Sequence, residues 1–533
     1  MFKKSVLDLM EAVPPDCFNW VIYKKDLYKY EKLPDTLKME LENVYPVWNF
    51  KLRDALRLPA EKPDRTNKYT KFKSNIDYFY KNVINENGFR NIIPVDSESF
   101  IPVKETQISS VKEKSNELLF YNDTHDIVPF NGMKKGPYKP SAYSKIQFFY
   151  IFHKDDLQIA KVMHDFFSHG LPPFKGLYHF AKVPYNTQGN FSIMFTNKDN
   201  PLDEIEREMI QRDFQPDVHY FAIYLSPHSK HHPNREIRSI YYRIKELLLK
   251  RDITSQAIDV KKVKAALAND KSRYDYSLNN IAIAILAKLD GIPWQLNTKL
   301  KNELIVGIGA FKHIDTDVRY LGSAFSFTNN GKFKHFECFQ KDQTDELAGS
   351  ILDQVKEYVS VNNHIQRLII HFYKNMSKKE LQPIENGLNN LDLDIPVFIV
   401  SINKTESRDI VAFDNNSEQL MPISGTYINV GFNKYLLFNN VRYYKDSRIG
   451  KIDGYPFPIK LSIRCTHEEE AKDPKVIREL INQVYQFSRM YWKSVRQQNL
   501  PVTIKYPEMV AEIFPHFSGN EIPEFGKDNL WFL

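Results

Sequence analysis

ELIVGIGAF, residues 303–311, followed by two further strand-like runs, Tyr320–Thr328 and Lys332–Phe339, decides the fold. The second and third runs are joined by Asn329-Asn330-Gly331, a strong hairpin signal. A helical period over 343–361 comes next. Then follow an apolar strand at 367–373, a helix at 377–390 and a strand at 396–402. Three antiparallel strands, then helix, strand, helix and strand predict a mixed sheet with helices packed on it. Two amphipathic helices, 471–495 and 506–513, complete this half.

The preceding stretch has a different rhythm. Ile146–Phe152, 191–195, Tyr220–Leu225 and Ala257-Ile258 read as strands. They alternate with helices at 155–169, 201–213, 236–250 and 277–289, the last closing on Asp290-Gly291. That alternation predicts a parallel α/β layer. Further upstream, residues 64–87 read as a helix and 92–118 as a polar connector. The first 110 residues contain one glycine, Gly88, so a glycine-rich phosphate-binding turn is excluded there.

Composition narrows the class. The chain has 533 residues, 42% hydrophobic and 14% aromatic, far from a disordered composition. A net charge of +7 permits a polyanionic partner without requiring one. Cys17, Cys338 and Cys465 are too widely spaced for a zinc site or a disulfide framework, which suits a reducing, cytoplasmic setting. No run is long or apolar enough for a signal peptide or a membrane span.

Five segments, in order, resemble one family. IYYRIKELLLKRDITSQAI (240–258) is similar to the 5′-end pocket of Argonaute MID domains, and NNIAIAILAKLDGIPW (279–294) to the helix that closes that domain. ELIVGIGAF (303–311), RLIIHFYKNMSKKE (367–380) and LPVTIKYPEMVAE (500–512) resemble the first strand, second catalytic strand and C-terminal helix of PIWI domains. The resemblance implies an α/β chain: a Rossmann-like MID domain within 119–300 and an RNase H-like PIWI domain over 301–533. Residues 1–118 would be an extra, mainly helical N-terminal region of unknown role. About 145 residues precede the first MID strand, which points to the short prokaryotic Argonautes, whose MID–PIWI chain pairs with a separate effector protein.

Tyr241 and Lys245, at i and i+4, project from one helix face; Gln256 follows across a turn, and Lys288 comes from a later helix. A phosphate needs such converging charges and donors. The resemblance assigns these four to the guide 5′ phosphate, and adds the C-terminal carboxylate of Leu533 through Mg²⁺. The insert Val260–Tyr274 accounts for the long gap between Gln256 and Lys288. A slicing site needs several carboxylates for two metals. Here Gly309 and Lys374 stand at the aspartate positions and Glu508 alone keeps a carboxylate, while Asp315 and Asp317 read as a surface turn. The histidine-rich loop 227–232 reads as a polar loop, and Arg489, Lys493 and Arg496 as candidates for a nucleic-acid channel.

The expectation is a non-cutting subunit in anti-plasmid or anti-phage defence. It would hold a guide, RNA or DNA, recognise a complementary single-stranded DNA target, and activate an effector of TIR, sirtuin-like or nuclease type carrying an Argonaute-associated domain. The alternatives are a guided nuclease with a rearranged metal site, and a scaffold whose pocket has decayed.

Overall fold

A computed structural model describes the whole chain except residues 1–3, 25, 57, 59–63, 231, 233, 270–273, 313–318, 341–342, 363, 405–409, 446–448 and 519–520. Asp315, Asp317 and His231 lie outside the described residues. The chain divides into two compact units, residues 1–66 and 67–533. The first is a three-stranded antiparallel sheet, with Trp20–Tyr23 between Asp26–Lys29 and Val44–Pro46. Short helices close it around Val6, Leu9, Phe18, Val21, Val44 and Leu52.

In the second unit, β1 (Ile146–His153), β2 (Ile193–Phe195), β3 (His219–Ser226) and β4 (Thr254–Asp259) form a parallel sheet with β1 beside β3 and β3 beside β4. Side-chain alternation sends Phe148, Tyr150, Phe221 and Ile223 to one face, under α1 (Leu157–Ser168) and α3 (Asp275–Lys288). Phe149, Ile151, Ala222 and Tyr224 go to the other, under α2 (Arg235–Leu249). Both faces are covered, which is why β1 and β3 are predominantly apolar, while β4 at the sheet edge is mostly polar. This is the Rossmann-like layer the sequence predicts. The insert is largely a helix, Val260–Asn269, with Val260 and Val263 buried.

The second layer starts with β5 (Glu303–Lys312), β6 (Arg319–Phe327) and β7 (Cys338–Gln340), then α4 (Thr344–Asn362), β8 (Arg367–Phe372), α5 (Lys378–Asn390) and β9 (Val397–Asn403). The sheet order β7-β6-β5-β8-β9, antiparallel then parallel, is RNase H-like. Three strands the sequence reading passed over extend it: β10 (Thr426–Gly431), β11 (Lys434–Leu437) and β12 (Ile459–Cys465). Helices α4 and α5 cover one face; α6 (Pro474–Phe487) and α7 (Val502–Ile513) cover the other. One apolar core runs through both layers, from Leu118 to Leu533.

Three expectations need correction. Residues 67–118 do not group with the first 66. Strand Ile108–Ser110 adds to the sheet edge at β10, and the Tyr69 hydroxyl, from helix Lys68–Phe79, donates 2.7 Å to Tyr455 O. The strand expected over 332–339 is only Cys338–Gln340. Phe333 and Phe336 leave the sheet to pack on Phe325, whose ring lies 4.6 Å from that of Phe336. The helix expected over 471–495 ends at Phe487, because tertiary donors take the carbonyls beyond it: Trp294 Nε1 reaches Arg489 O at 3.0 Å and Tyr506 OH reaches Met490 O at 2.9 Å.

Candidate nucleic-acid interface: a buried lysine cluster and a lysine-filled cleft

Helix α2 is amphipathic and capped by Asn234, whose side chain accepts from the Glu236 and Ile237 amides. Its inner face carries Tyr241 and Lys245. Lys245 is 3% exposed, and its Nζ donates to Trp531 O at 2.7 Å and lies 5.8 Å from the Tyr241 ring centre. Lys288, at the end of α3, is fully buried; its Nζ donates to Ser255 O at 2.8 Å and Gln256 Oε1 at 2.9 Å. A third amine, Lys493, reaches Phe532 O at 3.5 Å.

The chain end shapes this cluster. Trp531 and Phe532 are locked among Phe325, Phe336, Tyr506 and Phe517. That packing aims their carbonyls at Lys245 and Lys493, while Asn529 Nδ2 donates 3.1 Å to Lys288 O. Leu533 itself is 2% exposed. Tyr241, Lys245, Gln256, Lys288 and the 529–533 segment therefore come together, from segments nearly 300 residues apart.

Among the described residues, neutral carbonyls and not carboxylates accept from the three amines. Burial, and then the charges of Lys493 and Lys230, hold Lys245 down to about 7. Burial and the Lys245 and Lys493 charges hold Lys288 well below the usual lysine range. Lys493 falls to about 8, first through burial. Burial, with Glu512 nearby, raises the Tyr241 hydroxyl to about 12. Mutually repelling cations in a low-dielectric site are costly unless an anion joins them.

Lys493 was read from sequence as a channel residue together with Arg489 and Arg496; the three have different fates. Arg489 is 2% exposed, donates to Ile127 O and lies over the Tyr443 ring, a structural anchor. Arg496 is exposed, 3.6 Å from Asp453. Nothing local in the sequence marks Lys493 as a neighbour of Lys288, since the two come from different layers.

The second locus is the cleft where β5 meets α7. A Cβ on Gly309 would lie 2.5 Å from Ile504 O and 2.9 Å from Glu508 N, so the helix backbone occupies the space a side chain there would need. Glu508 therefore does stand beside Gly309. Its carboxylate is taken by Lys404, at 2.9 and 3.0 Å, with Lys505 at 3.8 Å. Lys374 pairs instead with Glu380 at 2.8 Å. Among the described residues, no three of His, Cys, Asp and Glu gather into a metal-holding group.

A Piwi domain family model matches residues 233–517, more than half of the chain, from the start of α2 through α7. A Piwi protein of Archaeoglobus fulgidus is 24% identical over 321 residues, 55% of this chain and 72% of its own length. Protein argonaute of Cereibacter sphaeroides is 24% identical over 335 residues, 56% of this chain but 41% of its own. The structure of Clostridium butyricum Argonaute bound to a guide DNA and a 19-mer target DNA superposes with a TM-score of 0.63 at 18% identity, over 92% of this chain and 64% of that one, a likeness of fold. By the extent of the family match and the layers it spans, the chain belongs to the Piwi domain family, among the Argonaute-like proteins.

Proposed function

We propose that this chain holds a nucleic-acid guide by its 5′ phosphate and presents it for pairing with a single-stranded target. The observation that carries the reading is the cluster of buried Lys245 and Lys288 with half-buried Lys493, all three on carbonyl partners beside Tyr241 and Gln256. A phosphate dianion supplies the counter-charge the fold leaves out. Sequence recognition would then rest on base pairing, with the protein gripping the backbone. The Argonaute of Clostridium butyricum, whose fold this chain shares, is described as bound to a guide DNA and a target DNA. For this chain an RNA guide and a DNA target remain the working assignment.

Mg²⁺ at that phosphate is part of the proposal in a restricted sense. The acidic donors close by are Glu512 and, where Leu533 ends the chain, its carboxylate. Three amines crowd the site and offer a bare divalent ion no charged ligand of their own, so Mg²⁺ fits only when phosphate oxygens complete its shell. Bound in that way, it would add a further positive charge for the phosphate.

The reading includes no target cleavage. A two-metal site needs several carboxylates, and at this cleft Glu508 is engaged by Lys404 while Gly309 and Lys374 offer none. Target binding would then act through a separate effector protein, as a defence against invading nucleic acid in the cytoplasm. A guided nuclease with a rearranged site remains the second reading, favoured only by the retained Glu508.

The test is sequencing of nucleic acid copurified with wild type and with Lys245→Ala/Lys288→Ala. Short 5′-phosphorylated strands present in the first and lost in the second are the expected result. Strands unchanged in the variant would overturn the pocket.

A further inference from the structure

The return leg of the hairpin after β6 changes partner part-way. It first pairs with Ser326: Lys334 N donates to Ser326 O at 3.0 Å, and Ser326 N to His335 O at 3.2 Å. The next amide leaves the sheet, and Phe336 N donates to Lys527 O at 3.1 Å. Pairing with β6 resumes at Cys338. The strand expected over 332–339 is therefore broken at the place where a backbone bond goes to the 526–533 segment instead.

Two side chains follow that bond. The Phe336 ring is fully buried, 6.4 Å from the ring of Trp531 and 5.7 Å from that of Phe532. His335 Nδ1 lies 2.6 Å from the Asp528 carboxylate, and its Nε2 faces Glu337 at 4.0 Å. Other charges surround this pair. Lys527 is tied to Glu524 at 2.8 Å. Asp290, just past α3, accepts from the Tyr143 hydroxyl at 2.6 Å and adds negative charge near Asp528. Ser350 of α4 hydrogen-bonds to Glu337. Glu337 first, against the pull of burial, and then Asp528 raise the His335 imidazole above the usual histidine range.

The segment held in this way is the one that meets the lysine cluster. Asn529 donates to Lys288 O, Trp531 O accepts from Lys245, and Phe532 O accepts from Lys493. A lysine ammonium has three protons. One shared with a carbonyl favours the charged form and fixes where the other two point.

Building on the guide-binding reading, we propose that His335 and Phe336 are positioning residues for the 5′-phosphate pocket, clamping the 526–533 segment so that its carbonyls face Lys245 and Lys493. They act through Asp528, Trp531 and Phe532 and not on the phosphate itself. Loosening the clamp withdraws the carbonyls, disfavours the charged amines and weakens the hold on a phosphate dianion, while contacts to the rest of a strand stay as they are. The Asp528 side chain is 73% exposed, so the ionic part of the clamp contributes modestly.

The experiment compares, in the full chain at about pH 6 where the imidazole is charged, binding of one oligonucleotide with a 5′ phosphate and with a 5′ hydroxyl. His335→Gln and Asp528→Asn should each lower the preference for the phosphate about threefold, through the phosphorylated strand alone. The two changes alter net charge in opposite senses, so a shared loss cannot come from long-range charge. The double variant should be no worse than either single one. His335→Lys, which keeps a positive charge opposite Asp528, should retain the preference. In the strand-free protein, amide hydrogen exchange over 526–533 should be faster in the Gln and Asn variants than in wild type. An unchanged preference in both single variants, equal weakening of both strands, or a Lys variant as poor as the Gln variant would overturn the clamp. A wild type blind to the 5′ phosphate would instead bring down the guide-binding reading. The clamp then stands or falls on the exchange, and rates unchanged in both variants would overturn it.

Discussion

Replacing Lys245 by methionine should stabilise the unliganded protein at neutral pH while abolishing its response to a 5′-phosphorylated strand. The amine ordinarily titrates at 10.5 and is held down to about 7 in the fold, first by burial and then by Lys493 and Lys230. At ~1.4 kcal/mol per unit, keeping this lysine buried at pH 7 costs about 4 kcal/mol relative to a group with nothing to ionise. Local relaxation makes that figure a ceiling, and neutral replacement of buried charge gains about 1–4 kcal/mol in general. Methionine keeps the stem packed against Tyr241 and Trp531 and forfeits the 2.7 Å bond to Trp531 O, a loss of about 1 kcal/mol. The pH dependence fixes the sign. Between about 7 and 10.5 the unfolded chain binds the proton and the folded chain does not, so wild-type stability climbs with pH across that window. The advantage of Lys245→Met should therefore be largest at or below pH 7 and shrink towards pH 10. Thermal and denaturant unfolding at pH 7 and 9, with and without a 5′-phosphorylated oligonucleotide, measures both parts. Wild type should gain stability from the strand by mass action, and the variant little. A variant less stable than wild type by the same margin at both pH values would refute the reasoning, since the Trp531 hydrogen bond would then outweigh the charge.

Restoring a carboxylate with Gly309→Asp should not restore cutting. It should cost about 1–3 kcal/mol through overpacking against Ile504 O and the Glu508 amide, and a target-cleavage assay in Mg²⁺ that shows product would contradict this. Tyr69→Phe should lower stability by about 1–2 kcal/mol, because it removes the donor to Tyr455 O and leaves buried Asn440 short of a partner. Deleting residues 1–66 should leave the larger unit folded. Deleting 1–117 should not, since it strips Ile108–Ser110 from β10 and removes Tyr69 and Phe72 from the core-facing side of that layer; the melting curves of the two truncations decide it.

Much of this protein was legible locally. Strand and helix periods gave both α/β layers, and the Asn329-Asn330-Gly331 turn, with Gly331 at φ +89°, marked the hairpin after β6. Tyr241, Lys245, Gln256 and Lys288 were grouped through the resemblance, which follows helical spacing and segment order, and the fold brings the four side chains together. Three other features were not legible, each for a physical reason. Strands β10 and β11 are short and half-polar, and β12 alternates buried Ile459, Leu461 and Ile463 with polar residues, so all three depend on pairing with neighbouring strands and none shows a continuous apolar run. Helix α6 stops at Phe487 because Trp294 and Tyr506, distant in sequence, claim the next carbonyls. The pairing of Glu508 with Lys404 joins residues 104 apart in sequence, and they meet only when the end of β9 comes beside α7. The sequence by itself determined which residue types and which elements were available. Tertiary structure alone decided which charges are gathered without a counter-ion, because burial and long-range packing, not local spacing, set the cost of a charge.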